Sequence, residues 1–265
     1  MFKYLASLSL LMPGLALAQT SSTGDLLAKA DDDRWSVGVA ASARQSPYAG
    51  EGTRIRPVPL VTYEGERVFW RGLGGGVHLV DGERFRLDAV LSGRFDCFDI
   101  KDLGRRELRA NGVDPSLLED RDDALDAGLA ASWSGRAGEF KLSALADISD
   151  RSGGYEISAD YAYALQWGRT TLIPGLGVRW MSDDLVTYYH GTLEEEVARG
   201  VQRYQPGSAL VPQVSLAFSR PLGDKWRLLG ALDYRFLPSE ITDSPLSEPD
   251  TDGSAGLRAG ITRSF

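Results

Sequence analysis

Cysteine and histidine are nearly absent: the 265-residue chain holds one cysteine, Cys97, and two histidines, His78 and His190. A lone thiol forms no internal disulfide even in an oxidising compartment, and beside Phe95 and Phe98 it reads as a small wall residue or a tolerated loop thiol. One cysteine and two separated histidines supply no structural zinc cluster. Beyond residue 18 there is no run of about 18 apolar residues, which excludes a conventional membrane-spanning helix. Basic residues are the minority, 29 against 37 acidic for a net charge of −8, which argues against nucleic acid as a partner.

The first residues carry an export pattern. Lys3 precedes an apolar stretch over 4–17, and Ala16-Leu17-Ala18 offers small residues before Gln19, which predicts a signal peptide over 1–18. Position 19 is not cysteine, so a diacylated lipoprotein is not expected. Export without a helical anchor leaves the periplasm, secretion or a closed barrel in an outer membrane.

A two-residue period then dominates the chain. Tyr155, Ile157, Ala159, Tyr161, Tyr163, Leu165 and Trp167 alternate with polar or small residues, and after Gly168-Arg169 the alternation resumes through Leu172, Pro174, Leu176, Val178 and Trp180. Two strands this long joined by almost no turn suit a barrel wall, whose membrane-crossing strands need about 9 to 11 residues. The same reading along the chain predicts an all-β fold, a closed antiparallel transmembrane β-barrel over 35–265 preceded by a flexible periplasmic lead over 19–34. Strand 1 starts at Trp35 and strand 2 spans Ile55 to Tyr63, although Pro57 and Pro59 lack the N–H that a central strand needs. Reading 66–80 as one strand gives eleven; splitting it near Gly72 gives twelve. Twelve is preferred, because bacterial single-chain barrels have even counts, short inner turns and long outer loops. It places 44–54, 96–121, 182–208 and 238–253 outside, and 64–65, 81–83, 135–137, 168–169 and 221–224 as periplasmic turns. Trp35, Trp133, Trp167 and Trp226 then fall at inner strand ends, and Trp70 and Trp180 at outer ends, as an interfacial girdle requires. The last strand, through Leu257, Ala259 and Ile261 to Phe265, resembles the assembly signal read by barrel insertion machinery, with Arg263 an unusual residue in it.

Candidate chemistry is sparse. His190 lies near Ser182, Asp183 and Asp184 in a long loop, but nothing fixes a triad geometry, and catalysis is not expected. The acidic stretch Glu240, Asp243, Glu248, Asp250 and Asp252 reads as a solvated surface, since its spacing is not that of an EF-hand. Tyr188 and Tyr189 suit stacking on a sugar or packing on the barrel mouth. Arg84, Arg86, Asp88, Glu156 and Asp160 fall on lumen faces, where they either pair and plug the interior or line water.

The loops carry a resemblance. Ser46-Pro47-Tyr48-Ala49-Gly50, Pro57 with Tyr63, Trp180-Met181-Ser182, Tyr188-Tyr189-His190-Gly191, Tyr204 with Pro206, Asp243-Ser244-Pro245-Leu246 and the terminal 260–265, in that order, make the chain similar to the MipA/OmpV family. Thr192 after Gly191 and Arg263 depart from the usual pattern. The resemblance implies an integral barrel of a Gram-negative outer membrane with no enzymatic activity and no cofactor. It further implies a scaffold contacting a lytic murein transglycosylase and a bifunctional penicillin-binding protein, with a small-solute porin-like channel or a surface adhesin as the alternative. It points to Tyr48, Gly50, Tyr188, Tyr189, Gly191, Asp243, Ser244 and Pro245 as binding residues, and to Phe265 in barrel assembly among outer-membrane lipid.

Overall fold

A computed structural model describes residues 34–265. The expected signal peptide and the lead up to residue 33 lie outside the described residues. Alternation becomes structure as twelve wall strands: β1 (Trp35–Gln45), β2 (Thr53–Glu64), β3 (Val68–Arg71), β4 (Gly74–Asp81), β5 (Phe85–Arg94), β6 (Ala124–Gly135), β7 (Gly138–Asp147), β8 in two segments (Tyr155–Ala162 and Leu165–Trp167), β9 (Thr170–Met181), β10 (Ala209–Pro221), β11 (Trp226–Phe236) and β12 (Gly253–Ser264). Each pairs antiparallel with its sequence neighbours, and β1 pairs with β12, so the sheet closes. Among the described residues no helix is long and apolar enough to cross a membrane.

The two faces of the wall meet different solvents. Val39, Leu129, Leu142, Leu176, Leu210 and Leu257 are exposed on the outside, whereas Asp88, Arg94, Asp126, Glu139, Lys141, Glu156, Asp160 and Arg179 are buried within. Apolar-out and polar-in is the arrangement hydrocarbon imposes, because a charged side chain facing lipid is costly, while closure leaves few backbone groups without partners.

Prolines mark where the ladder is interrupted. On β9, Pro174 accepts from Tyr163 N (3.1 Å) but has no N–H to return, and β8 is broken at the two residues opposite, 163–164. Pro57 and Pro59 have a related explanation. The strand β3 is only four residues long and pairs with β2 solely through Thr62, Tyr63 and Glu64. The chain turns back at Gly72 (φ +64°) and Leu73, and β4 starts at the level of Ser92 on β5. The part of β2 over 53–60 therefore has β1 on one side and no strand on the other. Gly72 N donates to Val61 O (2.9 Å), which shows that odd-numbered residues of β2 aim their backbone at that side. Between Thr53 and Val61 those are Ile55, Pro57 and Pro59, so two of the three positions on the free edge have no donor to satisfy. The split near Gly72 thus lies within the wall instead of at the loop end. It also corrects the expectation for Trp70, which pairs with Tyr63 at the level of Trp35, at the end bearing short turns.

The long connections gather at the opposite end from both described termini. Apart from 46–52 and 148–154, they carry short helices: α1 (Arg105–Ala110) with single 3-10 turns at Ile100–Asp102 and Pro115–Leu117, α2 (Asp183–His190), α3 (Glu194–Ala198) and α4 (Ser239–Thr242). They cohere because apolar residues from several loops share one core, Tyr48, Ala49, Phe98, Leu108, Val113, Val201 and Leu246, and α2 and α4 add a second with Leu185, Tyr189 and Ile241.

Candidate functional site

The interior is packed with ion pairs beside β3 to β5 and hollow beside β1, β2 and β12. In the packed part Arg71 binds Glu64 (2.9 Å), Arg86 reaches Asp81 (2.9 Å) and Glu64 (3.3 Å), and His78 Nδ1 meets Asp88 (2.6 Å) with its ring stacked on Phe69. Only about 10 Å³ of space remains between Arg86, Asp88, Glu139 and Lys141. Of the lumen candidates, Arg86, Asp88, Glu156 and Asp160 face inward and are paired, while Arg84 sits in the turn before β5.

Beside and above this packing lies a cavity of about 380 Å³, whose lining runs from the cap down to Ser36, Thr62 and Thr262 near the short-turn end of β1, β2 and β12. Its lining carries seven arginines against five carboxylates, together with Val58, Leu60, Phe95 and Leu229. Most charges are committed to one another. Arg94 bridges Asp126 (2.6 Å) and Glu156 (3.0 Å), and Gln213 donates to Asp160 (2.9 Å). Glu156 is shared by Arg94 and Arg179, and Asp233 accepts from Arg44 (2.6 Å) and from Arg258 (3.3 Å); Arg44 Nη1 and Arg258 Nε are buried without a hydrogen-bond partner.

The folded loops roof the cavity. Tyr48, 2% exposed, presents its hydroxyl to the carbonyls of Asp96 (3.2 Å) and Tyr189 (3.1 Å), and its ring stacks on His190. Burial pushes the Tyr48 hydroxyl far up, so it stays protonated. Burial pushes His190 down to about 4, with Asp96 opposing, and its Nδ1 has no partner, so the ring is neutral. Asp96 would be raised by burial, but Arg94, Arg235 and Arg179 hold it at about 2. The centre of the cap is an ion pair. Arg121 Nη1 and Nη2 donate to the two oxygens of Glu196 (2.8 and 2.9 Å), Arg121 also donates to the carbonyls of Tyr188 and Glu119, and Glu196 further accepts from Glu119 N and Leu193 N (2.8 Å each). Neither side chain touches solvent.

The candidate binding residues all lie in this cap. Gly50 (φ +68°) donates to Glu248 (2.6 Å) and lies so close to Gly104 that a Cβ would collide with its backbone. Tyr188 and Tyr189 pack edge to face; Tyr189 is fully buried, and the Tyr188 hydroxyl accepts from Asp122 N. Gly191 continues the α2 ladder, Ser244 donates to His190 O (2.6 Å), and Pro245 O accepts from Asn111. Asp243 ends α4 and faces solvent. Ser182 is the cap of α2, accepting from Leu185 N and Tyr155 N. The residues that sequence reasoning missed are Arg121 and Glu196, 75 positions apart, for which no local pattern exists. Cys97 is a loop thiol, pushed up to about 12 by burial and by its contact with Asp123. At the other end Phe265 N donates to Trp35 O (3.0 Å), and the Arg263 guanidinium lies over the rings of Trp226 and Phe265, which accounts for a cation at that interfacial position.

A closed twelve-strand wall with an apolar exterior, a charged interior and a folded cap at one end defines an integral outer-membrane β-barrel. The family model described as MltA-interacting protein MipA matches residues 37–265, and the chain belongs to that family. It is 30% identical to the MltA-interacting protein of Escherichia coli K12 over 252 residues, 95% of this chain and 98% of that one. It is 33% identical to the putative outer membrane protein YiaT of the same organism over 224 residues, 83% and 87% of the two chains. The outer membrane protein OmpV of Vibrio cholerae aligns at 25% over 129 residues, 49% of this chain and 50% of that one.

Proposed function

We propose that this barrel is a non-enzymatic scaffold that holds murein-cleaving and murein-synthesising enzymes beneath the outer membrane. The observation that carries this reading is the likeness, along nearly its whole length, to a protein named for its interaction with MltA. On this reading the short turns face the periplasm, as in other outer-membrane barrels. The charge of the turn rim suits a docking role, since Arg67, Arg84, Arg136, Arg169, Arg220 and Lys225 are exposed there against Glu66, Asp81, Glu83 and Asp224. A basic ring attracts an acidic partner surface and orients it before contact. Stable interfaces bury about 1,200 to 2,000 Å² in total, so the rim acts together with residues 19–34. The partners proposed are a lytic murein transglycosylase and a bifunctional penicillin-binding protein.

The test is photo-crosslinking in living cells from positions 67, 136 and 169, with the captured proteins identified. Recovery of murein enzymes supports the scaffold; capture from the cap alone, with none from the rim, overturns it. The channel reading draws on the cavity, and a steady open-state conductance in planar bilayers would favour it over a closed scaffold.

A further inference from the structure

The free stretch of β2 opens the wall sideways. Along 53–60 the strand rises about 3.4 Å per residue at a tilt of roughly 40°, so the stretch without a second strand partner spans about 20 Å along the membrane normal. Cys97 lies in electrostatic range of Arg54 and Arg56 at its cap end, and the opening proper lies nearer the sill. That sill is the Gly72–Leu73 turn, and the far side of the opening is the end of β5 and Phe95. Above, it is shut by the cap, where Gly104 N donates to Ala49 O (2.9 Å). The cavity touches three of these margins, at Leu60, Gly72 and Phe95.

We propose that this gap is a lateral port through which a single-chain amphiphile with a carboxylate head, a fatty acid being the simplest, passes between the membrane and the cavity. Three observations converge on that occupant. Toward the sill the lips are apolar, with Pro57 and Pro59 exposed outside and Val58 and Leu60 within, which suits an alkyl chain, whereas Arg54 and Arg56 hold the inner face nearer the cap. The head site is Arg44 and Arg258, which share one carboxylate and keep buried donors over, so a second carboxylate completes their hydrogen bonding. A cavity of about 380 Å³ lies within the 300–1,000 Å³ typical of small-molecule sites. A strand from another protein is a poor occupant, because Pro57 and Pro59 withhold the donors that β-pairing needs.

The experiment uses the full protein in proteoliposomes at pH 9, a twelve-carbon fatty acid bearing a chain diazirine, and mapping of the adducts by mass spectrometry. Adducts are expected on the lumen-facing Val58 and Leu60, at least fivefold fewer with the matching alkylammonium probe, and at least fivefold fewer with acid on Arg258→Gln. Retained heat-modifiable migration establishes that the variant is folded. Adducts confined to the outer surface, at Leu129 and Leu142 for example, overturn the port. Equal lumen labelling by acid and ammonium on the unaltered protein overturns the anionic head.

Discussion

Replacing Glu196 by alanine should unlock the cap while leaving the wall intact. Arg121 is 1% exposed and Glu196 0%, and the carboxylate accepts four hydrogen bonds, two from the guanidinium and two from backbone N–H groups of different loops. Removing one partner of a buried pair leaves an uncompensated charge and costs about 3 to 5 kcal/mol. Each 1.4 kcal/mol is a factor of about ten, so the open cap becomes more populated by about two to three and a half orders of magnitude. The assay is native-state proteolysis in detergent micelles, following cleavage within 95–123 or 182–208 while heat-modifiable migration reports an intact barrel. When opening is fast relative to cleavage, the cleavage rate rises by the same factor. Glu196→Gln, which keeps the shape and loses the charge, should cost less. Arg121→Met with Glu196→Leu should recover most of the protection, because a buried ion pair exchanged for packed hydrocarbon is often neutral or better. Unchanged proteolysis in Glu196→Ala, or a double variant more labile than the single one, would refute the assignment of this pair as the centre of the cap.

Acid should loosen the same region. His190 is held near 4 in the closed cap and returns toward its ordinary value of 6.5 when exposed, so the open form binds more protons below that value. The contribution is full above about pH 6.5 and falls by about 3 kcal/mol as pH drops through 4; pH-dependent proteolysis measures it, and His190→Phe should flatten the profile. Pro57→Val with Pro59→Val adds two unpaired N–H groups to an edge in hydrocarbon, each costing several kcal/mol unless paired; sedimentation in detergent should show a larger assembly than the unaltered protein forms, and an unchanged sedimentation coefficient would count against the free edge. Deleting 253–265 removes nine pairs with β1 and eleven with β11, and should leave no heat-modifiable band in the outer-membrane fraction.

The wall was legible because each strand separates two solvents, and Tyr155 to Trp167 or Phe85 to Leu91 write that separation at every second residue. The turn in the middle of the wall was only half legible. The glycines of 72–76 announce a reversal but carry no information on depth, so the sequence alone puts Trp70 at the wrong end. Pro57 and Pro59 were visible as a conflict whose resolution, a free edge, depends on the length of a neighbouring strand. In the cap the limit is different. Tyr48, Phe98, Leu108 and Leu246 come from three loops and share a core with no repeat for a periodicity to detect. Ser182 followed by Asp183, Asp184 and Leu185 is a readable helix start, yet its hydroxyl also suited a nucleophile. Only the contacts with Leu185 and Tyr155 decide between the two.

The shared core of the loops bears on how the cell surface is perceived. With that end outward, an antibody or phage meets residues brought side by side from distant parts of the chain, such as Glu119 and Arg199, joined at 2.9 Å. Sera raised against single linear loop peptides should then bind the denatured chain on a blot far better than the intact bacterium, and immunogens should be presented as the whole refolded barrel.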